Sequence, residues 1–167
     1  MTIWVQLSEG IAKTHPKYGI KKGAVFLRFI LVATPAMWCF SSAGNLQTIG
    51  QARGGFETSD YLTILAPVIF FIWSLWNASI LGKHDPRFFK SFYAFVAIGP
   101  VILIVCSLLW MVISGLKFNG EDFAAKTIGI LLGWFLWFGL AAAYVHWSTR
   151  INVTLRHVVK SNDPLAK

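Results

Sequence analysis

Residues 127–150, TIGILLGWFLWFGLAAAYVHWSTR, contain no charged side chain before the arginine that closes them. About 20 residues with a rise of about 1.5 Å each span a hydrocarbon core ~30 Å thick, so this stretch predicts a transmembrane helix. Gly129 and Gly133 form a G-x-x-x-G pair, and Gly139 follows, a pattern typical of helices that approach one another closely. We therefore predict helix–helix contacts at these three glycines.

The composition extends this prediction to the whole chain. Of its 167 residues, 56% are hydrophobic and only 13% are charged, whereas soluble domains carry about 25% charged residues. Four apolar stretches account for the difference, and we predict transmembrane helices at residues 24–44, 61–82, 91–115 and 127–149. The segments between them are too short for a separate globular domain. Residues 1–167 are therefore predicted to form a single, all-α, polytopic membrane domain.

Both terminal segments, 1–23 and 150–167, carry apolar side chains at helical spacing. The apolar positions are Ile3, Trp4, Leu7 and Ile11 in the first segment and Ile151, Leu155, Val158 and Val159 in the second. Ser8, Glu9 and Lys13 lie elsewhere on the first helix, and Arg156 and Lys160 are interleaved in the second, which is typical of short amphipathic helices at a membrane surface. An ordinary flexible N-terminus is the alternative interpretation of the first segment. We predict one such helix at each end of the chain, both on the cytoplasmic side.

The net charge of +8 is divided unevenly between the two predicted sides of the membrane. With the N-terminus in the cytoplasm, twelve of the fifteen Lys and Arg residues lie on the cytoplasmic side, and only Arg53, Lys117 and Lys126 lie opposite. Cytoplasmic loops of membrane proteins carry an excess of positive charge. We therefore predict a multi-pass protein of the bacterial inner membrane with both termini in the cytoplasm.

The basic residues have a second interpretation, which is contact with anionic lipid headgroups or with an acidic cytoplasmic partner. The candidate residues are Lys83, Arg87, Lys90, Arg150, Arg156 and Lys160. Membrane topology alone also explains their positions, and both interpretations stay open. Because the positive charge follows the predicted topology, we predict no direct binding to nucleic acid.

A few polar features interrupt the predicted spans. Pro35 deletes one main-chain hydrogen bond of the first span, and we expect the Thr34 hydroxyl to bond the freed carbonyl. Asn77 is the most polar uncharged side chain in any span, and we predict that it contacts a neighbouring helix, because an amide in hydrocarbon needs partners. Arg28 is predicted to reach back to the headgroups. Residues 45–60 are polar and rich in glycine, and we expect a loop there.

Chemistry that supports catalysis or coupled transport is sparse in the sequence. No predicted span contains Asp, Glu or Lys, which disfavours a proton-driven transporter. Motifs such as C-x-x-C, H-E-x-x-H, a phosphate loop or G-x-S-x-G are missing, so we predict no enzymatic activity, metal site or cofactor.

His84 and His146, near the cytoplasmic ends of two spans, are the remaining candidates for haem ligands. Cys39 and Cys106 are expected to act as small apolar side chains.

The end of the chain, AYVHWSTRINVTLRHVV, is similar to the end of a bacterial family of small four-span membrane proteins, described only as a domain of unknown function. In that family the last span runs into a motif of the type Ser-x-Arg-Val-x-x-Thr-Phe. The matching positions here are Ser148, Arg150, Ile151, Thr154 and Leu155, with Ile and Leu in place of Val and Phe. The resemblance implies a four-span architecture and brings no activity with it.

These observations favour a non-catalytic subunit or scaffold of a larger membrane assembly. Such a protein docks other subunits, or further copies of itself, through transmembrane faces and a basic cytoplasmic side. The deep tryptophans Trp73, Trp76, Trp134 and Trp137 suit packing against a partner, and equally a groove for quinone, pigment or lipid. Two alternatives stay open. One is a small oligomeric channel or carrier, and the other is a respiratory membrane anchor that binds haem or quinone.

Overall fold

The structure, a computed structural model, describes residues 3–21, 23–113 and 120–166. In chain order the elements are β1 (Trp4–Gln6), α1 (Glu9–Thr14), α2 (Gly23–Arg53), a 3-10 turn (Thr58–Tyr61), α3 (Leu62–Gly82), α4 (Arg87–Ile113), α5 (Gly120–Trp134), one turn of π-helix (Phe135–Gly139), α6 (Leu140–Trp147), α7 (Thr149–Arg156), β2 (Val158–Lys160) and a 3-10 turn (Pro164–Ala166).

Four helical stretches are long and apolar enough to cross a membrane, and they are Gly23–Gln51, Leu62–Gly82, Arg87–Ile113 and Phe123–Trp147. The prediction of four such helices is therefore confirmed. Their length and apolar composition are those of a multi-pass membrane protein. Residues 114 and 115, which close the predicted third span, lie outside the described residues.

Helix α2 is longer than predicted, because it continues past residue 44 through polar residues that we expected to form a loop. It ends at Arg53, after which Gly54 is left-handed (φ 74°) and the Gly55 N–H donates to the Gly50 carbonyl at 2.9 Å. This bond pattern is typical of a helix that a glycine terminates. Residues 45–53 contain no proline, so the chain leaves the helix only where two consecutive glycines follow.

Two other helix ends differ from the predicted bounds. Helix α4 begins at Arg87 rather than at residue 91, because the Asp85 carboxylate accepts a hydrogen bond from the Arg87 N–H at 2.9 Å. The fourth span ends at Trp147, because the next residue, Ser148, is extended (φ −70°, ψ 112°). The Ser148 hydroxyl accepts from the Ile151 N–H at 3.4 Å and thereby caps α7.

A proline inside α4 is compensated by a side chain from another helix. Pro100 has no N–H, so it leaves the Val96 carbonyl without its helical donor. The indole N–H of Trp134 in α5 donates to this carbonyl at 2.9 Å. Gly99 makes the approach possible, because a Cβ at that position would overlap the Trp134 ring.

The proline inside α2 is compensated in the same way. Pro35 frees the Leu31 carbonyl, and the Ser74 hydroxyl of α3 donates to it. We expected the hydroxyl of Thr34 to bond this carbonyl, and the donor in the structure is instead Ser74 on a neighbouring helix. The correction has a physical reason, since Ser74 is fully buried between the helices and a hydroxyl there needs an acceptor.

A cluster of buried aromatic rings joins all four spans near the middle of the bundle, and we name it the aromatic core. Phe70, Phe95, Trp134 and Phe138 contact one another with ring centroids 4.6–6.0 Å apart. Trp38 of α2 lies against them, 5.7 Å from Trp134. Burying such large rings contributes much of the apolar surface that the bundle removes from lipid and water.

The two ends of the chain fold together into one unit, named here the terminal cap (residues 3–21 and 149–166). Strand β1 pairs with β2 in an antiparallel ribbon that sets Trp4 opposite Lys160. The Gly19 N–H donates to the Thr154 hydroxyl at 2.9 Å. A second buried apolar cluster holds the cap together, and its members are Leu7, Ala12, Val153 and Val159.

The terminal cap differs from the two separate amphipathic helices that we predicted. Residues 4–6 and 158–160 form strands, in agreement with their Trp and Val content. The first helix begins only after Ser8, and α7 ends at Arg156, because the next residue, His157, is left-handed (φ 54°). Residues 151–155 are buried in the protein rather than laid on a membrane surface.

Candidate functional site

A recess of about 980 Å³ opens between α2, α3, α4 and α5 at the end of the bundle away from the terminal cap, and we name it the distal groove. Its lining includes Ser41, Asn45 and Thr48 of α2; Thr63 and Pro67 of α3; Leu103, Cys106, Ser107 and Trp110 of α4; and Thr127, Gly129, Ile130 and Gly133 of α5. The volume lies at the upper end of the ~300–1,000 Å³ that is usual for ligand pockets.

The distal groove is about one lipid leaflet deep. Its lining on α2 runs from Trp38 to Ile49, which corresponds to about 16 Å along a helix. Half of a ~30 Å hydrocarbon core is close to that length. At its inner end the groove stops at Trp38 and Trp134 of the aromatic core, so it does not pass through the bundle.

The lining of the distal groove is uncharged and mixed in polarity. Hydroxyl and amide side chains stand among aliphatic and aromatic ones, and none of the lining residues in the described part of the chain is Asp, Glu, Lys or Arg. The hydroxyls of Thr48 and Ser107 donate to carbonyls of their own helices, Gly44 at 3.0 Å and Leu103 at 2.8 Å. A hydroxyl that donates in this way keeps lone pairs that can accept from a ligand.

One donor at the groove wall has no acceptor among the described residues. The indole nitrogen of Trp110 is buried, and no acceptor among the described residues bonds it. A buried N–H without a partner costs about 1–3 kcal/mol. A ligand oxygen in the groove would remove that cost.

The three glycines of the fourth span make no helix–helix contact within the described part of this chain. No described atom lies within 4 Å of a Cβ placed on Gly129 or Gly133, and both line the distal groove. A Cβ on Gly139 meets only Phe135 of the same helical stretch. The close approach of two helices occurs instead at Gly99, which faces Trp134. Contact of Gly129 and Gly133 with another protein stays a prediction.

Asn77 faces protein, as expected, but no described residue of a neighbouring helix hydrogen-bonds it. Its side chain is fully buried, and its Nδ2 donates to the Trp73 carbonyl of its own helix at 3.1 Å. The side-chain link from α3 to α4 is made one turn away, where Trp73 Nε1 donates to the Ser91 hydroxyl at 3.1 Å. Among the described residues, none donates to the Asn77 Oδ1 atom.

Of the six basic candidates, the structure brings two together. Lys90 and Arg156 line one pocket of about 620 Å³ between α4 and the terminal cap. Arg87 instead pairs with Asp85 at 2.7 Å, and this guanidinium holds the pKa of the Asp85 carboxyl below its usual range.

The other three basic candidates lie apart from that pocket. Lys160 Nζ stands 6.0 Å from the centre of the Trp4 ring, and Lys83 caps the end of α3. Arg150 has one buried guanidinium nitrogen that no described acceptor bonds.

The histidine and cysteine candidates lie outside the aromatic core. His84 stands in the turn after α3, with its ring edge-on to Tyr18 at 5.8 Å, and His146 is exposed in the last turn of α6 beside Trp147. Cys39 and Cys106 are free thiols, and only Cys106 lines the distal groove. In the described ranges, no group of three or more His, Cys, Asp or Glu is placed to hold a metal ion.

Comparison of the chain with models of known protein families, with curated proteins and with solved structures gives no match in any of the three. The similarity of residues 148–155 to a family of four-span proteins therefore stays a prediction.

Sequence reasoning missed the distal groove. Its signal was present in α2, where Ser41, Asn45 and Thr48 recur at helical spacing and share one face. The predicted loop began at residue 45. Ser41 was therefore placed in the helix and Asn45 and Thr48 in the loop, and their common face was not recognised.

Proposed function

We propose that this protein is a non-catalytic membrane protein whose distal groove holds one neutral, lipid-like amphiphile. The observation that carries the proposal is the groove itself, a leaflet-deep recess whose described lining residues are uncharged and whose Trp110 indole N–H is bonded by no described acceptor. Pockets that are mainly apolar and hold a few well-placed polar groups are the usual form of small-molecule sites.

The depth and polarity of the groove define the class of ligand. A charged headgroup would meet no opposite charge among the described lining residues, which is unfavourable at membrane depth. The hydroxyl, ester or amide oxygens of a neutral headgroup can accept a hydrogen bond from the Trp110 N–H. They can also form hydrogen bonds with the hydroxyl side chains near the open end of the groove. The aliphatic part would then extend toward the aromatic core. A molecule of this kind enters sideways from one leaflet.

The first test compares what wild-type protein and a groove-filling variant carry through purification. Gly133→Leu adds a side chain to the groove at a position where a Cβ meets nothing. Leu132→Phe is the matched control, because Leu132 is exposed outside the groove. Organic extracts analysed by mass spectrometry should contain a neutral amphiphile from wild type and Leu132→Phe, and much less from Gly133→Leu. Equal amounts from all three proteins would refute the proposal.

The second test uses the two cysteines. Cys39→Ala leaves Cys106 at the groove wall, and Cys106→Ala leaves Cys39 outside it. Adding back the organic extract should slow the reaction of N-ethylmaleimide with Cys106 and leave the reaction with Cys39 unchanged. Equal slowing at both thiols would point to a general detergent effect.

A second candidate function is a subunit or scaffold of a larger membrane assembly, favoured by the uncovered Gly129 and Gly133 pair. Small residues four positions apart let a partner backbone approach closely. Because the groove is about 16 Å long, a partner would contribute a short segment rather than a helix that spans the bilayer. Purification in mild detergent separates the two functions, since a stoichiometric polypeptide in place of an amphiphile would favour the assembly.

The excess of Lys and Arg at the end that carries the terminal cap supports a location in a bacterial inner membrane with both termini cytoplasmic. Reporter fusions after residue 167 and within residues 114–119 test this orientation. A cytoplasmic reporter should be active only at the C-terminus, and the opposite pattern would reverse the proposed topology.

A further inference from the structure

The pocket between α4 and the terminal cap has a composition opposite to that of the distal groove. Its volume is about 620 Å³, and its walls include Phe89, Lys90 and Tyr93 of α4 and Gln6, Leu155 and Arg156 of the cap. The pocket contains two cationic side chains, and no Asp or Glu is among its lining residues in the described part of the chain.

The guanidinium of Arg156 is held in place without an acidic partner. Its Cζ atom lies 4.3 Å from the centre of the Phe89 ring, a cation–π arrangement. The Arg156 carbonyl accepts from Gln6 Nε2 at 3.1 Å, which fixes the backbone beneath the side chain. No described carboxylate pairs with Lys90 or Arg156, so both charges remain available to an anion.

We propose that this pocket binds the phosphate of an anionic phospholipid. A phosphate accepts two parallel hydrogen bonds from a planar guanidinium, and a lysine adds a second positive charge. Lys90 lies one turn inside the start of a helix that is long and apolar enough to span a membrane, so the pocket stands at the expected level of the headgroups. Basic pockets at this level of membrane proteins bind anionic headgroups.

A lipid fits the surroundings better than free phosphate does. From Lys90 a stripe continues along one face of α4 through Ala97, Val101 and Leu108, at helical spacing. These three residues are exposed, and Val101 is 57% accessible. An acyl chain attached to a phosphate in the pocket can follow this stripe. Tyr93 lines the pocket about one turn along α4 from Lys90, where a phenolic hydroxyl can reach the ester region of a bound lipid.

The test is native mass spectrometry of the full chain in detergent, titrated with phosphatidylglycerol, with phosphatidylcholine of the same acyl chains, and with inorganic phosphate. We expect tighter binding of phosphatidylglycerol than of phosphatidylcholine. Lys90→Gln and Arg156→Gln should each weaken binding of phosphatidylglycerol by about fivefold, as expected for one cation near a membrane surface. Arg87→Gln is the matched control and should leave binding unchanged, because Arg87 pairs with Asp85 and does not line the pocket.

Three results would overturn the proposal. The first is equal binding of the two lipids by wild type, and the second is an equal loss in Arg87→Gln. The third is inorganic phosphate that displaces phosphatidylglycerol at equal concentration, which would assign the pocket to a free anion. Arg156→Gln also removes the contact with Phe89 and could prevent folding. Lys90→Gln changes only an exposed side chain. If Arg156→Gln does not fold, the binding measured for Lys90→Gln tests the proposal. The distal groove is not involved, and its ligand is tested separately.

Discussion

The indole N–H of Trp134 donates a 2.9 Å hydrogen bond to the main-chain carbonyl of Val96, the group that Pro100 deprives of its helical donor. Such a carbonyl is costly in the interior of a bilayer, where water cannot satisfy it. The tryptophan thus has two roles. It fills the aromatic core and completes the hydrogen bonding of a neighbouring helix.

Trp134→Phe should therefore destabilise the protein by about 1–3 kcal/mol, because it leaves a buried carbonyl without a donor. Pro100→Ala restores an N–H to α4, so the second substitution should recover part of the loss in the double variant. Unfolding in mixed detergent micelles measures all three variants. Trp76→Phe, at a half-exposed tryptophan with no bonded indole among the described residues, is the control. Strict additivity of the Trp134 and Pro100 effects would contradict this account.

A matched pair of glycine substitutions tests where the helices approach closely. Gly99→Ala places a methyl group against the Trp134 ring and should cost about 1–3 kcal/mol through overpacking. Gly133→Ala meets no described atom and should change stability by less than about 1 kcal/mol, in the stabilising direction, because alanine is the better helix former. Thermal unfolding in detergent compares the two. The reverse order would mean that the G-x-x-x-G pair packs within the monomer.

Ser74→Ala should also destabilise, because the Leu31 carbonyl that Pro35 frees loses its donor. The expected cost is about 1–3 kcal/mol, and Pro35→Ala in the same chain should reduce it. Thr34→Ala should lower the stability less than Ser74→Ala does. A larger loss in Thr34→Ala than in Ser74→Ala would restore the sequence-based assignment.

The terminal cap contains a carboxyl that should make it sensitive to acid. The Leu165 N–H bonds the Asp163 carboxylate at 3.1 Å and the His15 ring bonds it at 3.2 Å, and these contacts lower the pKa of Asp163 below its ordinary value of 3.8. The His15 Nδ1 atom accepts from the Lys17 N–H at 3.0 Å, so its Nε2 carries the proton toward Asp163.

A carboxyl with a lower pKa in the folded state stabilises the fold above its unfolded pKa, and that contribution is lost as the pH falls through the folded value. The protection of the Leu7 and Gly19 amides against hydrogen exchange, measured relative to their intrinsic exchange rates, should therefore fall below pH 3.8. Asp163→Asn should show faster exchange at neutral pH and a smaller change on acidification. Identical pH profiles for the two proteins would remove Asp163 from the explanation.

The sequence predicted the four membrane helices well because length and hydropathy are local properties. The C-terminal end of α2 was harder to predict from the sequence. Asn45 and Thr48 are residue types common in loops, and only the groove that they line explains why they lie in a helix. The pairing of Trp4 with Lys160 depends on residues at opposite ends of the chain, which helical periodicity does not capture. Pro100 in a helix predicts that the Val96 carbonyl lacks its helical donor. That Trp134 supplies the donor follows only from the packing of α5 against α4.

The distal groove illustrates the same difficulty. Gly129 and Gly133 have the spacing of a helix-packing motif. Whether another helix packs against them depends on the distances between α5 and the neighbouring helices, which the sequence does not show. Lys90 and Arg156 were among the six basic candidates, but the sequence did not predict the pocket that they line together. The separation of these two from the other four depends on tertiary contacts, such as the pairing of Arg87 with Asp85.

The ribbon of β1 and β2 has a consequence for how the chain enters a membrane. Two strands that bond each other must lie on the same side of the bilayer, so the ribbon can form only after an even number of crossings. A chain that skipped one crossing during insertion would leave Trp4 and Lys160 on opposite sides, with both strand edges unpaired. In a chain that spans a membrane, the ribbon can therefore form only when the number of crossings is even and residues 158–160 have been synthesised.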